Sequence, residues 1–178
     1  MKKIVTILLG LAGLSMLIGL SACRSITLSG TTDPEQVAGV ASEIADFDLP
    51  AGYHPDFSTH VMGYTVAAYS RGAGPSHLYL IQSEVEVVGG KLADALDELV
   101  VGSGEPHTLM TVVDTRIVMV RGQETKIVIS DYKNSEGRSY RQATVAFRGN
   151  GGPALLVFSE SIENWDQATL DALISSIQ

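Results

Sequence analysis

The sequence predicts an α+β domain, an antiparallel sheet made of a hairpin and a long meander, with an N-terminal, a middle and a C-terminal helix packed on it. Three observations predict this class. Apolar residues recur at helical spacing in three separate stretches, and from Thr108 to Phe158 the chain is almost continuously strand-like. The breaks inside that stretch are too short to allow anything but antiparallel neighbours.

Asp33, Pro34, Glu35 and Gln36 read as a helix start. They supply an N-cap acid, a proline where its missing donor is harmless, and a carboxylate near the positive end of the dipole. Val37, Val40, Ala41 and Ile44 then form one apolar face, and Pro50 with Gly52 ends the segment. Leu49 to Tyr53 turns the chain into extended structure. Residues 61–69, with Val61, Tyr64, Val66 and Tyr69, predict a strand. The loop from Ser70 to Ser76 holds Gly72, Gly74 and Pro75, and His77 to Gln82 is the return strand of the hairpin.

The middle helix is expected over Lys91 to Val101, where Leu92, Leu96, Leu99 and Val100 are apolar; Gly89 and Gly90 open it and Gly102 closes it. The meander follows as Leu109–Val113, Ile117–Val120, Lys126–Ser130, Tyr140–Phe147 and Ala154–Phe158. Its breaks fall at Asp114–Thr115, Gly122–Gln123, Asn134–Gly137 and Gly149–Pro153. The last helix, capped by Ser161 or Asn164, runs through Trp165, Leu170, Ala172, Leu173 and Ile177, with Asp166 in its first turn. No internal repeat is evident.

Ahead of the domain, Lys2 and Lys3 precede an uncharged run from Ile4 to Leu20, followed by Ser21, Ala22 and Cys23, the single cysteine of the chain. A core of about 17 residues is short for a permanent span, and Gly19, Ser21 and Ala22 put small side chains at its far end, as cleavage requires. The run resembles the signal of bacterial lipoproteins, with Leu20, Ser21, Ala22 and Cys23 as the lipobox. That resemblance implies diacylglyceryl transfer to the Cys23 thiol and cleavage after Ala22. The expected organisation is then a signal peptide over 1–22, a lipidated flexible tether over 23–32, and one globular domain over 33–178. The tether residues are small and polar, and such a linker spans roughly 15–20 Å on average. Two or three acyl chains, at about 0.8 kcal/mol per buried methylene, hold a protein where one myristoyl chain releases it. The expected location is the cell membrane or outer membrane, facing the periplasm or the cell exterior.

The net charge of −8 becomes about −10 without Lys2 and Lys3, leaving 10 Lys and Arg against 20 Asp and Glu. That balance excludes nucleic acid and a polybasic grip on lipid as binding modes. With Cys23 acylated, no thiol remains for a disulfide, a nucleophile or a metal site. The order of elements, a late meander followed by an amphipathic helix carrying Trp165, resembles the PsbP-type α/β/α sandwich. This second resemblance implies an extracytoplasmic assembly or partner-binding role.

Candidate sites are sparse. His54, Asp56 and His60 share parity on an extended segment and form a conceivable zinc set; surface loop histidines are the plainer reading, and His77 and His107 join them only through the fold. Ser103, between Gly102 and Gly104, lacks the spacing of a nucleophile elbow. Gly72 and Gly74, and the group Gly149, Gly151 and Gly152, lack the partners of a phosphate cradle and read as turns. Glu84 with Glu86, and Asp94 with Asp97 and Glu98, are the local carboxylate pairs; the second set falls on the solvated side of the middle helix. Arg138, Arg141 and Arg148, with Lys126 and Lys133, make the meander the most basic region, open to an acidic partner or serving to guard sheet edges.

The expectation is therefore a non-catalytic lipoprotein, anchored in the membrane through Cys23, that binds an envelope protein or peptide. No cofactor and no metal is expected. The alternative is a carrier of a small hydrophobic ligand or lipid in a helix–sheet pocket.

Overall fold

The computed structural model describes residues 29–61, 63–72, 76–84 and 110–178. The signal run with Cys23, the middle helix expected over 91–101, and Gly74, Glu86, Asp94, Asp97, Glu98, Ser103 and His107 all lie outside them. In chain order the elements are β1 (Ser29–Thr31), α1 (Pro34–Ile44), β2 (His54–Val61), β3 (Tyr64–Ser70), β4 (His77–Ser83), β5 (Thr111–Val120), β6 (Gln123–Lys133), β7 (Ser139–Arg148), β8 (Pro153–Ser161) and α2 (Gln167–Ser176). All strands join one antiparallel sheet in the order β1-β2-β3-β4-β8-β7-β6-β5.

This corrects the expected architecture. Strands hold 53% of the described residues and helices 20%, so the sheet dominates, and two helices rather than three are found among these residues. Nor are hairpin and meander separate units, because β8 pairs with β4 on one side and β7 on the other. The physical reason lies in β8 itself: from Ala154 to Glu160 every residue is buried, so both faces are covered and the strand has to be central.

Register rows show how the core is built. Ala67, Leu80, Leu156, Val145 and Ile127 stand opposite one another across β3, β4, β8, β7 and β6. Tyr69, Leu78, Phe158, Ala143 and Ile129 form the next row on the same face. Val37, Ala41 and Ile44 of α1 and Leu170, Leu173 and Ile174 of α2 pack on these rows in one cluster, so both helices cover one face. The opposite face carries a smaller cluster of Val66, Ile81, Leu155 and Val157, with Phe57, Tyr64 and Tyr79 against it.

Several boundaries differ from expectation. The strand expected over 61–69 is split between β2 and β3 by a turn at Gly63, where φ is +80°. The break expected at Asp114–Thr115 is instead a bulge inside β5, between Val112 and Asp114, which kinks the strand without ending it. Within the tether expected over 23–32, Ser29–Thr31 form β1, because an edge strand needs only backbone pairing, here with Ser58–His60, and no apolar side chain.

Helix ends follow local chemistry. Asp33 accepts from the Glu35 and Gln36 N–H groups at 3.1 Å each, a cap of about 1 kcal/mol. At α2 the cap is Asp166, which accepts from the Ala168 N–H at 3.0 Å and the Thr169 hydroxyl at 2.7 Å, rather than Ser161 or Asn164. The chain from Ile162 to Asn164 is a short 3-10 turn, and Trp165 stays outside α2 with its ring 5.7 Å from that of Phe158.

Leu156 lies in the central row and is fully buried, so Leu156→Ala should cost about 3 kcal/mol of unfolding free energy. Asp33→Ala should cost only about 1 kcal/mol. Urea melts of the two variants check the ranking, and equal costs would contradict the placement of β8 at the centre.

Candidate functional site

The bulge in β2 decides the histidine set. Its register shifts between Pro55 and Phe57, so His54 stands opposite Ser70 while His60 stands opposite Thr65, and the parity shared in sequence becomes opposite faces in the sheet. His60 points toward α1, its Nδ1 3.1 Å from the Thr65 hydroxyl and its Nε2 4.0 Å from the Glu43 carboxylate. Among the described residues no three His, Cys, Asp or Glu side chains are close enough to hold a metal ion. His54, Asp56 and His60 are thus not one site.

The arginines are likewise separated. Arg138 pairs with Glu136 in the β6–β7 turn, whereas Arg148 ends β7 opposite Pro153 at the other end of the sheet. Ten residues of strand put them about 34 Å apart. Arg141, opposite Glu160 and Asp131, donates to Asp131 through Nε at 2.6 Å and Nη2 at 2.9 Å and lies 5.7 Å from the Trp165 ring centre. The hydrogen bonds from Arg141 hold Asp131 below the usual carboxylate range. Gly149 and Gly151, in the β7–β8 turn, pack on Gln82, whose Oε1 accepts from the Gly151 N–H at 2.8 Å.

Glu160 extends the same row. It is 1% exposed, yet its carboxylate accepts from the Tyr53 hydroxyl at 2.6 Å, the Ser76 hydroxyl at 2.6 Å and Arg71 Nη2 at 2.8 Å. A buried charge needs this many donors to offset lost hydration. Burial first, then the hydrogen bond to Glu160 and its charge, push the Tyr53 phenol far above its ordinary value. Arg71–Glu160 and Arg141–Asp131 make a charged last row above the apolar ones. A cleft of about 640 Å³ opens beside it, lined in part by Arg71, Ser76, Arg138, Ser161 and Asn164. Sequence reasoning passed over Glu160, although it has the parity of Leu156 and Phe158 and so belongs to the helix-covered face.

On the other face, His77 lies 5.6 Å from the Tyr79 ring with its Nδ1 buried and without a hydrogen-bond partner. Burial holds the His77 imidazole below its ordinary value, against the opposing charges of Asp56 and Glu160. Burial likewise pushes the Tyr79 phenol up to about 12.

Among the described residues the strand most exposed to solvent is β5, at the far edge of the sheet. Ile117 is 64% exposed, Val112 60% and Met119 54%, and Met110 and Val113 continue the apolar surface. The hairpin to β6 turns at Arg121 and Gly122, with φ of +52° and +74°, a two-residue turn whose flanking residues Val120 and Gln123 bond to each other. Alternation from Val120 points the backbone groups of Val118 and Arg116 at β6 and those of Met119, Ile117 and Thr115 outward. The outward backbone groups and the exposed apolar side chains thus belong to the same residues. Arg116 is held from the other face by Asp171 of α2 at 2.5 Å.

No protein-family model matches the chain, and no curated protein matches it either.

Glu160→Leu should cost about 2–4 kcal/mol, because it strands the Tyr53 and Ser76 hydroxyls and the Arg71 charge. Tyr53→Phe alone should cost about 1 kcal/mol. Added to Glu160→Leu it should cost clearly less, and strictly additive losses in denaturant melts would dissolve the network. For His77, the unfolded chain takes a proton near pH 6.5 that the folded molecule refuses. Its contribution is complete above that pH and is lost as pH falls from there toward the lower folded value. Unfolding free energy measured from pH 7.5 to 5 should therefore decline, with a flatter decline in His77→Gln; identical slopes would remove His77 from the account.

Proposed function

We propose that the protein is a lipoprotein of the bacterial cell envelope, anchored through acylated Cys23, whose domain binds a protein or peptide along the edge of β5 and carries out no catalysis. The observation that carries this reading is β5 itself. A ten-residue strand at a sheet edge, with solvent-facing Val112, Ile117 and Met119 and, among the described residues, pairing only to β6, has the properties of a strand-addition site. Edges of this kind are normally short, charged or covered; at the opposite edge β1 is only three residues long. The lipobox Leu20-Ser21-Ala22-Cys23 supports the anchor. A carrier would need an apolar chamber between helix and sheet, and that interface is packed with Val37, Ile44, Leu170 and Leu173 against Leu80, Phe158 and Ile127.

The test uses the full chain in its own membranes, solubilised in mild detergent. The wild type should run as a complex larger than one chain. Ile117→Pro deletes one outward N–H at an edge position that tolerates proline, and it should run as a single chain with an unchanged melting temperature. A wild type that runs as a single chain would overturn the reading. Cys23→Ala should abolish incorporation of labelled palmitate and leave the signal run of residues 4–20 uncleaved, seen as a larger chain on a gel; retention of label would refute acylation at Cys23.

A further inference from the structure

We infer that the occupant of β5 is the β5 strand of a second copy of this chain, paired antiparallel about a two-fold axis at Ile117. This rests on the reading of β5 as a docking edge and names its partner. The regular part of β5 is bounded by the bulge at Val113 and the turn at Arg121, so it runs from Asp114 to Val120 and has Ile117 as its midpoint. Centring the pair there overlaps the whole regular run. Thr115 then faces the second copy's Met119, both with backbone groups that point outward, and Ile117 faces its own counterpart.

Neighbouring registers are worse for physical reasons. An axis at Arg116 sets two guanidinium groups directly opposite each other, and like charges so placed repel. An axis at Val118 leaves Asp114 and Thr115 unpaired, and an axis at Thr115 draws the bulge into the seam. Side-chain complementarity favours the same centre, since Thr115, Ile117 and Met119 of both copies join into one apolar stripe on one face. Arg116 stays with Asp171 of its own chain on the other face, opposite the second copy's uncharged Val118. Because each copy contributes the same edge, the contact closes on itself as a dimer and does not propagate. Acyl anchors would hold copies in one layer, raising the effective concentration of one edge for another. The chain is acidic overall, at −8, so added salt should strengthen the pairing by screening repulsion between copies.

The sequence provides a clean readout, since Cys23 is its single cysteine. Single cysteines at Ile117 and, as an exposed control on α1, at Glu35 are introduced into the full chain and oxidised in membranes. Ile117→Cys should give about tenfold more disulfide-linked dimer than Glu35→Cys, because paired positions in an antiparallel seam lie within disulfide reach. Co-expressed Thr115→Cys and Met119→Cys chains should cross-link to each other more than either does to itself, which fixes the register. Ile117 is solvent-exposed, and an unchanged melting temperature verifies that the variant folds. A photo-cross-linker at position 117 separates the two failures. Linkage to another copy supports the inference; linkage to a different protein overturns it and leaves the docking edge standing; absence of any adduct overturns both.

Discussion

The structure depends on the insertion of β8 between β4 and β7. β8 lies far along the chain from β4, yet its register runs from Gln82 opposite Ala154 to His77 opposite Ser159. Without that pairing, β1 to β4 would be a small ribbon capped by α1, and β5 to β7 a meander with its inner face unfilled. The strand can occupy this place because it is apolar on both sides: Leu156 and Phe158 join the helix-covered cluster, while Leu155 and Val157 join the opposite one. Burial of that kind is the main source of stability, and it is paid for by a slow search for distant partners.

Polarity then sets how far the core extends. One step beyond the Phe158 row, the helix-covered face changes from apolar to ionic, with Arg71, Glu160, Arg141 and Asp131 arranged as alternating charges. A slip of β8 by one residue would turn Glu160 to the other face, away from Tyr53 and Ser76, and would leave a charge without donors. The buried carboxylate therefore penalises misregister more sharply than interchangeable aliphatic side chains do.

Much of this was legible in the residues. Asp33-Pro34-Glu35 marks the start of α1, and Asn134 to Gly137 and Gly149 to Pro153 are turns because their residues favour turn geometry. The unbroken apolar run of β8 also carried its central position in principle, since alternation is lost only when both faces are covered. What escaped was long-range or one residue in size. Nothing local pairs β4 with β8, and nothing in Pro55-Asp56-Phe57 announces the bulge that sends His54 and His60 to opposite faces. Polar Asp114 and Thr115 read as a break in the sequence, whereas the strand runs through them, and the length of its exposed edge is not visible locally. Asp166, expected inside a first helical turn, instead caps α2, because its carboxylate is free to take up the exposed Ala168 N–H only from the position ahead of the helix.

The strand order has a mechanical consequence. If Cys23, ahead of β1, carries the proposed anchor and β5 the proposed partner, the two attachments sit on opposite margins of the sheet. Tension between them runs across the strands and loads the interstrand bonds in series, so the joint with fewest bonds opens first. Among the described residues that joint is β1 against β2, where Ser29, Gly30 and Thr31 are paired. Peeling them away would lengthen the leash by roughly 10 Å and leave the remaining strands folded. Under such a load the short first strand would act as a fuse, letting the domain yield to sudden pull without surrendering its core.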